Sequence, residues 1–212
     1  MKSEDYTTLL LASKSFQRRS ALEQARIPFR IISQDADESV CDYQLSFHQL
    51  LESIALHKMN HVVMPADLAH TAQFVLTVDT MVQDGSGKVY GKPESKEIAR
   101  RYIQTLRDNP GLVGTAFCLD KKEFVDNVWH TVDRITRFVS AAYTLDISDH
   151  WIDIYFEQFP DYLSIAGALT IEEYGAQFLK SINGSYGCAV GLPLYELCES
   201  LESLGFFKYS IK

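Results

Sequence analysis

Little in this sequence suggests a metal knuckle, a redox dithiol or a disulfide scaffold. Only four cysteines occur in 212 residues, and Cys41, Cys118, Cys188 and Cys198 are widely scattered with no CxxC pair. That spacing excludes a zinc knuckle and a thioredoxin-like motif, and it favours reduced thiols in a cytosolic protein. Long apolar runs are missing as well: no stretch approaches the roughly 20 residues a membrane-spanning helix needs. The opening Met1 to Tyr6 is polar, and the apolar run after it is too short for a secretory signal. Cations are in the minority, 20 Lys and Arg against 28 Asp and Glu, for a net charge of -8. The surface as a whole therefore repels polyanions, which excludes nucleic acid and anionic membranes as general partners. A small anionic substrate would need cations gathered locally. Repeats, low-complexity tracts and Pro/Ser-rich linkers are also absent, so a single domain over residues 1–212 is expected.

What is present is an ordinary globular composition, 46% apolar and 23% charged. Thr7 to Ala12 has the character of a short buried strand, followed after Ser13-Lys14-Ser15 by a helix that closes before Pro28. Phe29 to Ser33 is a second strand, and Ser46 to Val63 a helix with Phe47, Leu50, Leu51 and Ile54 on its apolar positions. Gln73 to Val78 is a core strand ending at Asp79. Asp84-Gly85-Ser86-Gly87 between two short apolar runs is a hairpin signal. Ser95 to Leu106 is helical, Leu112 to Ser140 is rich in strand formers, and Ser148 to Phe159 is helical. A loop-rich stretch then leads to Phe178-Leu179 and a last helix after Pro193. Strands and helices interleave around a long strand-rich middle, which predicts an α/β fold with a mixed sheet rather than strict βαβ alternation.

Four places carry candidate chemistry. In Ser13-Lys14-Ser15-Phe16-Gln17-Arg18-Arg19 a strand runs into a helix whose first turn holds two arginines. Cations there oppose the helix dipole, a conflict that a bound anion between them would remove. The alternative is that both arginines face solvent or pair with acids such as Glu23. Lys58 continues the apolar line of Phe47, Leu51 and Ile54, so it either meets a buried partner or ligand or snorkels outward. Asp79 ends an apolar strand, where α/β sheets place ligands. Together with Asp37-Glu38 it could hold a divalent cation and leave one carboxylate to deprotonate a water. Alternatively, Asp35, Asp37 and Glu38 form a solvated acidic loop. Finally, Gly91-Lys92-Pro93 holds a lysine on a constrained turn. Arg18, Arg19, Lys58 and Lys92 together approach the charge of a triphosphate.

Other signals fail on context. Gly85-Ser86-Gly87-Lys88 lacks the upstream glycine and following Ser/Thr of a phosphate-binding loop, and Gly184, Gly187 and Gly191 lack dinucleotide-binding spacing. His57 and His61 are spaced as a metal pair, but no HExxH accompanies them. Trp151, Tyr155, Phe156 and Phe159 have the pattern of core aromatics.

These segments, in this order, resemble the Maf family of septum-formation-type proteins. LLLASKSFQRRSAL at 9–22 is similar to its LILASxSPxRRxLL opening, and DADES at 35–39 to its acidic segment. LHKM at 56–59 resembles its LAxxKA helix, LTVDTMV at 76–82 its IGADTVV strand, and YGKPES at 90–95 its LGKP turn. IAGALTIEEYG at 165–175 and INGSYGCAVGLPL at 182–194 resemble its KAGAYxIQGxG and GSYxNVVGLPL stretches. The resemblance implies a fold like that of the inosine-triphosphate pyrophosphatases, with a strongly curved mixed sheet flanked by helices and two lobes around a central cleft. It also implies a homodimer and hydrolysis of nucleoside triphosphates to monophosphate and pyrophosphate. By position, Asp79 takes the general-base role. Ser13, Arg18, Arg19, Lys58 and Lys92 match substrate contacts. Glu38 and Asp79 match the sites of a divalent metal, Mg²⁺ with Mn²⁺ or Co²⁺ as alternatives. Gln17, Thr80 and Glu172 match the positions that sort the family by base. Phe16 departs from the family's proline, and Ser164-Ile165 stand where many members carry a lysine. Gln17 matches neither subgroup, Thr80 resembles the pyrimidine-preferring one, and Glu172 resembles the 7-methyl-GTP one. Because a carboxylate accepts from a guanine N–H edge, the expectation leans to 7-methyl-GTP-like purines, with dTTP/UTP as the alternative. A nucleotide-binding regulator of cell division without turnover is the rival from another class.

Overall fold

Backbone hydrogen bonds in the computed structural model, which describes residues 8–68 and 72–207, follow that interleaving closely. Among the described residues seven strands form one sheet: β1 (Leu9–Leu11), β2 (Phe29–Ile31), β3 (Gln73–Gln83), β4 (Val89–Tyr90), β5 (Leu112–Val125), β6 (Val128–Leu145) and β7 (Leu179–Gly184). Their order is β2-β1-β3-β5-β6-β7, with β4 paired to β3. β1 runs parallel to β2 and β3, whereas β3 with β4 and β6 with β7 are antiparallel. This is the mixed α/β sheet flanked by helices that was anticipated. The helices are α1 (Phe16–Gln24), α2 (Phe47–Asn60), α3 (Lys96–Asp108), α4 (Asp149–Gln158), α5 (Tyr186–Val190) and α6 (Leu194–Ser203). Thr7, the first residue of the anticipated opening strand, lies outside the described residues.

The chain divides into two compact units. The first comprises the described residues of Met1–Asp79, Ala116–Phe138 and Leu194–Lys212, and the second Thr80–Thr115 and Val139–Pro193. In the first unit β1 is fully buried because Leu9, Leu10 and Leu11 are all apolar and strands pair with it on both sides. α2 starts at Ser46, whose N–H and hydroxyl both donate to Gln49 Oε1 (3.4 and 2.7 Å). It buries Phe47, Leu50, Leu51, Ile54, Ala55 and Met59 on one side. β5 and β6 are joined at Asp126 and Asn127, whose φ values of +51° and +63° are those of a two-residue hairpin turn.

In the second unit the predicted aromatic cluster is indeed core. Tyr155 and Phe156 of α4 pack with Ala99 and Ile103 of α3 and with Phe178, although Trp151 at the edge stays exposed. The Asp84–Gly87 turn is a hairpin, as its composition predicted. Asp84 Oδ1 accepts from the Ser86 and Lys88 N–H groups (2.8 and 3.1 Å), and Gly87 adopts φ +91°.

Two differences from the sequence reading have physical causes. β3 does not end at Asp79 but continues to Gln83, because the carboxylate is neutralised in place and buried Met81 and Val82 carry the strand on to pair with β4. Past the loop-rich stretch, where only Phe178-Leu179 stood out before the last helix, the chain forms β7, which pairs with Ala141–Leu145 of β6. Its sequence LKSING is too polar to announce a strand, and the partner supplies what propensity does not. Among the described residues no helix is long and apolar enough to cross a membrane.

Candidate active site

The first unit gathers five of the singled-out residues into two bonded clusters that meet at the neighbouring residues Val78 and Asp79 of β3. Lys58, on the last turn of α2, is 8% exposed. Its apolar helix face carries it inward, and a buried ammonium is tolerable only with partners. It has two: Nζ lies 2.6 Å from Asp79 Oδ1 and 3.0 Å from Glu38 Oε1. Lys58 thus does not snorkel, and Glu38 is not merely part of a solvated loop. Glu38 opens a short 3-10 turn (Glu38–Val40) held by Asp37, whose side chain accepts from the Ser39 N–H at 2.9 Å.

Arg18 turns back from α1 toward β3. Its Nη1 donates to Ser13 Oγ (3.0 Å) and to the carbonyl of Val78 (2.9 Å), the residue before Asp79. Burial lowers the Arg18 pKa from its ordinary value, and the charges of Asp79 and Glu38 pull against that shift. The guanidinium is therefore in the same electrostatic field as the carboxylate pair. Glu23 is exposed on the far turn of α1. Arg19 rests over the Phe16 ring, 5.8 Å from its centroid, and its Nε is buried without a hydrogen-bond partner. The aromatic ring that replaces proline here therefore lies against one of the two arginines. Gln17 Oε1 accepts from the Ser15 hydroxyl at 3.0 Å.

Asp79 is 7% exposed, and its Oδ2 is buried with no hydrogen-bond partner. An orphan carboxylate oxygen is costly to bury unless something binds it. Two carboxylates flanking one ammonium, one with a free oxygen, suit a Mg²⁺-type ion, which takes one or two protein carboxylates and completes its shell with phosphate and water. Among the described residues no group of three or more His, Cys, Asp or Glu could hold a metal alone. His57 and His61 turn ring nitrogens to backbone carbonyls instead, those of Asp37 and His57 (3.0 and 2.9 Å).

Sequence reasoning missed two neighbours. Burial raises the pKa of the Cys41 thiol, and Glu38 and Asp79 raise it further against Lys58. The Tyr43 phenol is raised by burial and then by Glu38, Cys41 and Asp79. Both therefore feel the charge of the acidic pair. Only their closeness to Glu38 along the chain could have signalled it.

The other candidates belong to the second unit. Lys92 is exposed on the loop between β4 and α3. Thr80 Oγ1 shares a hydrogen bond with Thr115 Oγ1 (3.0 Å), and Thr115 Oγ1 donates to the Cys188 carbonyl (2.8 Å). Glu172 is half-buried, and desolvation raises its pKa, with like charge on Glu173 adding to the shift. The Glu172 backbone is pinned at both ends: its N–H donates to Thr170 Oγ1 (3.1 Å), and its carbonyl accepts from the Gly175 N–H (3.0 Å). A Cβ on Gly175 would lie 1.9 Å from the Thr170 carbonyl oxygen. Gly175→Ala should accordingly destabilise the protein by about 2 kcal/mol through overpacking against backbone, read as a lower denaturation midpoint. An unchanged midpoint would mean that the turn around Glu172 relaxes freely.

In the first unit an arginine-bearing helix entrance thus meets β3 one residue before the carboxylate–lysine–carboxylate cluster. Residues 8–204 match the model of the Maf-like protein family. The chain is 31% identical over 199 residues to the dTTP/UTP pyrophosphatase of Colwellia psychrerythraea, covering 93% of this chain and 89% of the relative. Against the dTTP/UTP pyrophosphatase of Acholeplasma laidlawii the identity is 31% over 200 residues, 92% and 95% of the two chains. The nucleoside triphosphate pyrophosphatase of Ehrlichia canis is 33% identical over 192 residues, 90% of this chain and 93% of its own. The chain belongs to the Maf family.

Proposed function

We propose that this protein is a cytoplasmic hydrolase that cuts nucleoside triphosphates between the α- and β-phosphates, with dTTP and UTP as preferred substrates. The observation that carries the reading is the Lys58 ammonium held between Glu38 and Asp79 while Asp79 Oδ2 stays free. Arg18 and Arg19 bind phosphate oxygens, and Ser13 orients Arg18 through its hydroxyl. Asp79 accepts the proton of the water that attacks the α-phosphorus, and pyrophosphate departs. Lys58 holds the Asp79 carboxylate in position and offsets the charge of the carboxylate pair. Glu38 and Asp79 would hold a divalent cation, which when bound neutralises phosphate charge. Lys92 is assigned to substrate contact by its motif alone.

For the base, Thr80 and the two dTTP/UTP-named relatives favour the pyrimidine alternative over the purine leaning that Glu172 suggested. The test is pyrophosphate release across dTTP, UTP, the other common triphosphates and 7-methyl-GTP, with Mg²⁺, Mn²⁺ or Co²⁺ and with chelator. dTTP and UTP should lead in kcat/KM by about tenfold or more, since a site built to hydrogen-bond one base edge rejects others strongly. Chelator should stop release. A lead for 7-methyl-GTP would reverse the base assignment. Nucleotide binding without release under every metal would instead favour the regulatory protein.

A further inference from the structure

Phe16 stands where the resembled family carries a proline, and the ring makes a contact that a proline could not. Phe16 is the first residue of α1 and Arg19 the fourth, a spacing that puts both on one side of the helix. The ring centroid lies 5.8 Å from the guanidinium carbon of Arg19, while Phe16 itself is 57% exposed. A ring left largely in water gains little from burial, so core packing does not account for it.

Arg19 needs a neighbour of that kind. Its Nε is buried with no hydrogen-bond partner, and among the described residues no carboxylate pairs with it. The first turn of α1 holds no acid, and Ser15, whose hydroxyl donates to Gln17 Oε1 (3.0 Å), makes no side-chain cap. In that turn no negative group offsets the cation against the helix dipole. Arg18, by contrast, is anchored through Ser13 Oγ and the Val78 carbonyl. The face of an aromatic ring carries partial negative charge and attracts a cation without consuming an N–H donor. A proline at the first helical position fixes the backbone but offers no such face.

We propose that Phe16 is a positioning residue, its ring holding the Arg19 guanidinium at the first turn of α1 with its N–H donors left for a phosphate chain. The role rests on the reading of Arg19 as a phosphate contact. A free arginine gives up much rotamer freedom when it is immobilised. One already steadied by a ring binds phosphate at lower entropic cost.

Three substitutions separate the ring from its bulk. Phe16→Leu keeps apolar volume without the charged face, Phe16→Ala removes both, and Phe16→Tyr keeps the ring. The exposure of the position leaves the fold intact, which urea midpoints check. The readouts are KM and kcat for dTTP with Mg²⁺, and calorimetric pyrophosphate affinity, each in the native and the Arg19→Gln background. Leu and Ala should raise KM and weaken pyrophosphate binding about two- to fivefold, the scale of an exposed cation–π contact. With binding lost equally from ground and transition states, kcat should stay nearly unchanged, and Tyr should match wild type. In the Arg19→Gln background Phe16→Leu should add no further loss, since the two residues act as one unit.

A Leu variant that binds as wild type would overturn the assignment. So would a Tyr variant as poor as Ala, a fall in kcat at unchanged KM, or a full additional loss in the Arg19→Gln background. Arg19→Gln with native pyrophosphate affinity would remove Arg19 from phosphate binding and Phe16 with it. Should the coupled loss of pyrophosphate affinity appear while no triphosphate releases pyrophosphate, hydrolysis fails and the positioning role stands.

Discussion

Asp79→Asn is expected to lower pyrophosphate release by at least ~10²-fold, the scale of a lost general base, while nucleotide still binds. Asparagine keeps the shape of the side chain and an oxygen for the Lys58 ammonium, now 2.6 Å from Asp79 Oδ1. Lys58 also keeps Glu38 at 3.0 Å, so the buried cation is not stranded and the fold should survive. What vanishes is the free Oδ2, the one atom of the cluster that is both buried and unpartnered on a carboxylate. Replacing that oxygen with an amide nitrogen turns an acceptor into a donor that can neither take a proton from water nor bind a cation. Single-turnover release together with equilibrium nucleotide binding checks both halves. Near-normal release would remove Asp79 from the chemistry, whereas loss of binding in step with rate would make it a binding group.

The second large effect concerns stability. Asp120, in β5, is fully buried, yet it remains an acceptor of many bonds. Arg134 grips it with two, Nε to Oδ1 at 2.6 Å and Nη2 to Oδ2 at 2.7 Å. Lys122 Nζ approaches Oδ2 at 2.9 Å, and the Thr131 hydroxyl donates to Oδ2 at 3.0 Å. Burial pushes the Asp120 carboxyl up, but Arg134 and Lys122 outweigh it and hold the pKa below its ordinary 3.8. Because the folded pKa is depressed, the carboxylate contributes stability that is fully present above the unfolded value and is lost as pH falls through the folded one. Asp120→Ala strands two cations around a void and should cost about 3 kcal/mol at pH 7, the scale for breaking a buried pair. Urea denaturation of both proteins at neutral pH and at successively lower pH measures it. The gap should begin to narrow as pH falls toward 3.8, where the unfolded chain takes up the proton, and should go on closing as pH falls through the lower folded value. Equal stabilities at pH 7 would mean that the cluster contributes nothing net.

These two acids illustrate how unevenly the chemistry could be read in advance. Asp79 stood out because a carboxylate closed a run of apolar residues, and Lys58 because it continued a helical stripe of Phe47, Leu51 and Ile54. Asp120 lies just as deep but is followed by Lys121, Lys122 and Glu123, so locally it passes for the start of a polar stretch. Its partner Arg134 sits 14 residues on, in the next strand, and only strand pairing joins them.

Residue order alone was enough for the mixed α/β class, the hairpin at Asp84–Gly87, the aromatic core of α4 and the family. Those features rest on short-range periodicity, turn stereochemistry and collinear motifs, all of which are local along the chain. Folding settled the rest: that β3 runs on past Asp79, that β7 exists, and that one ammonium bridges two carboxylates 41 residues apart. A charge inside a strand or a polar strand at a sheet edge is stable only when a distant segment supplies the counter-charge or the backbone partner. No local pattern carries that information.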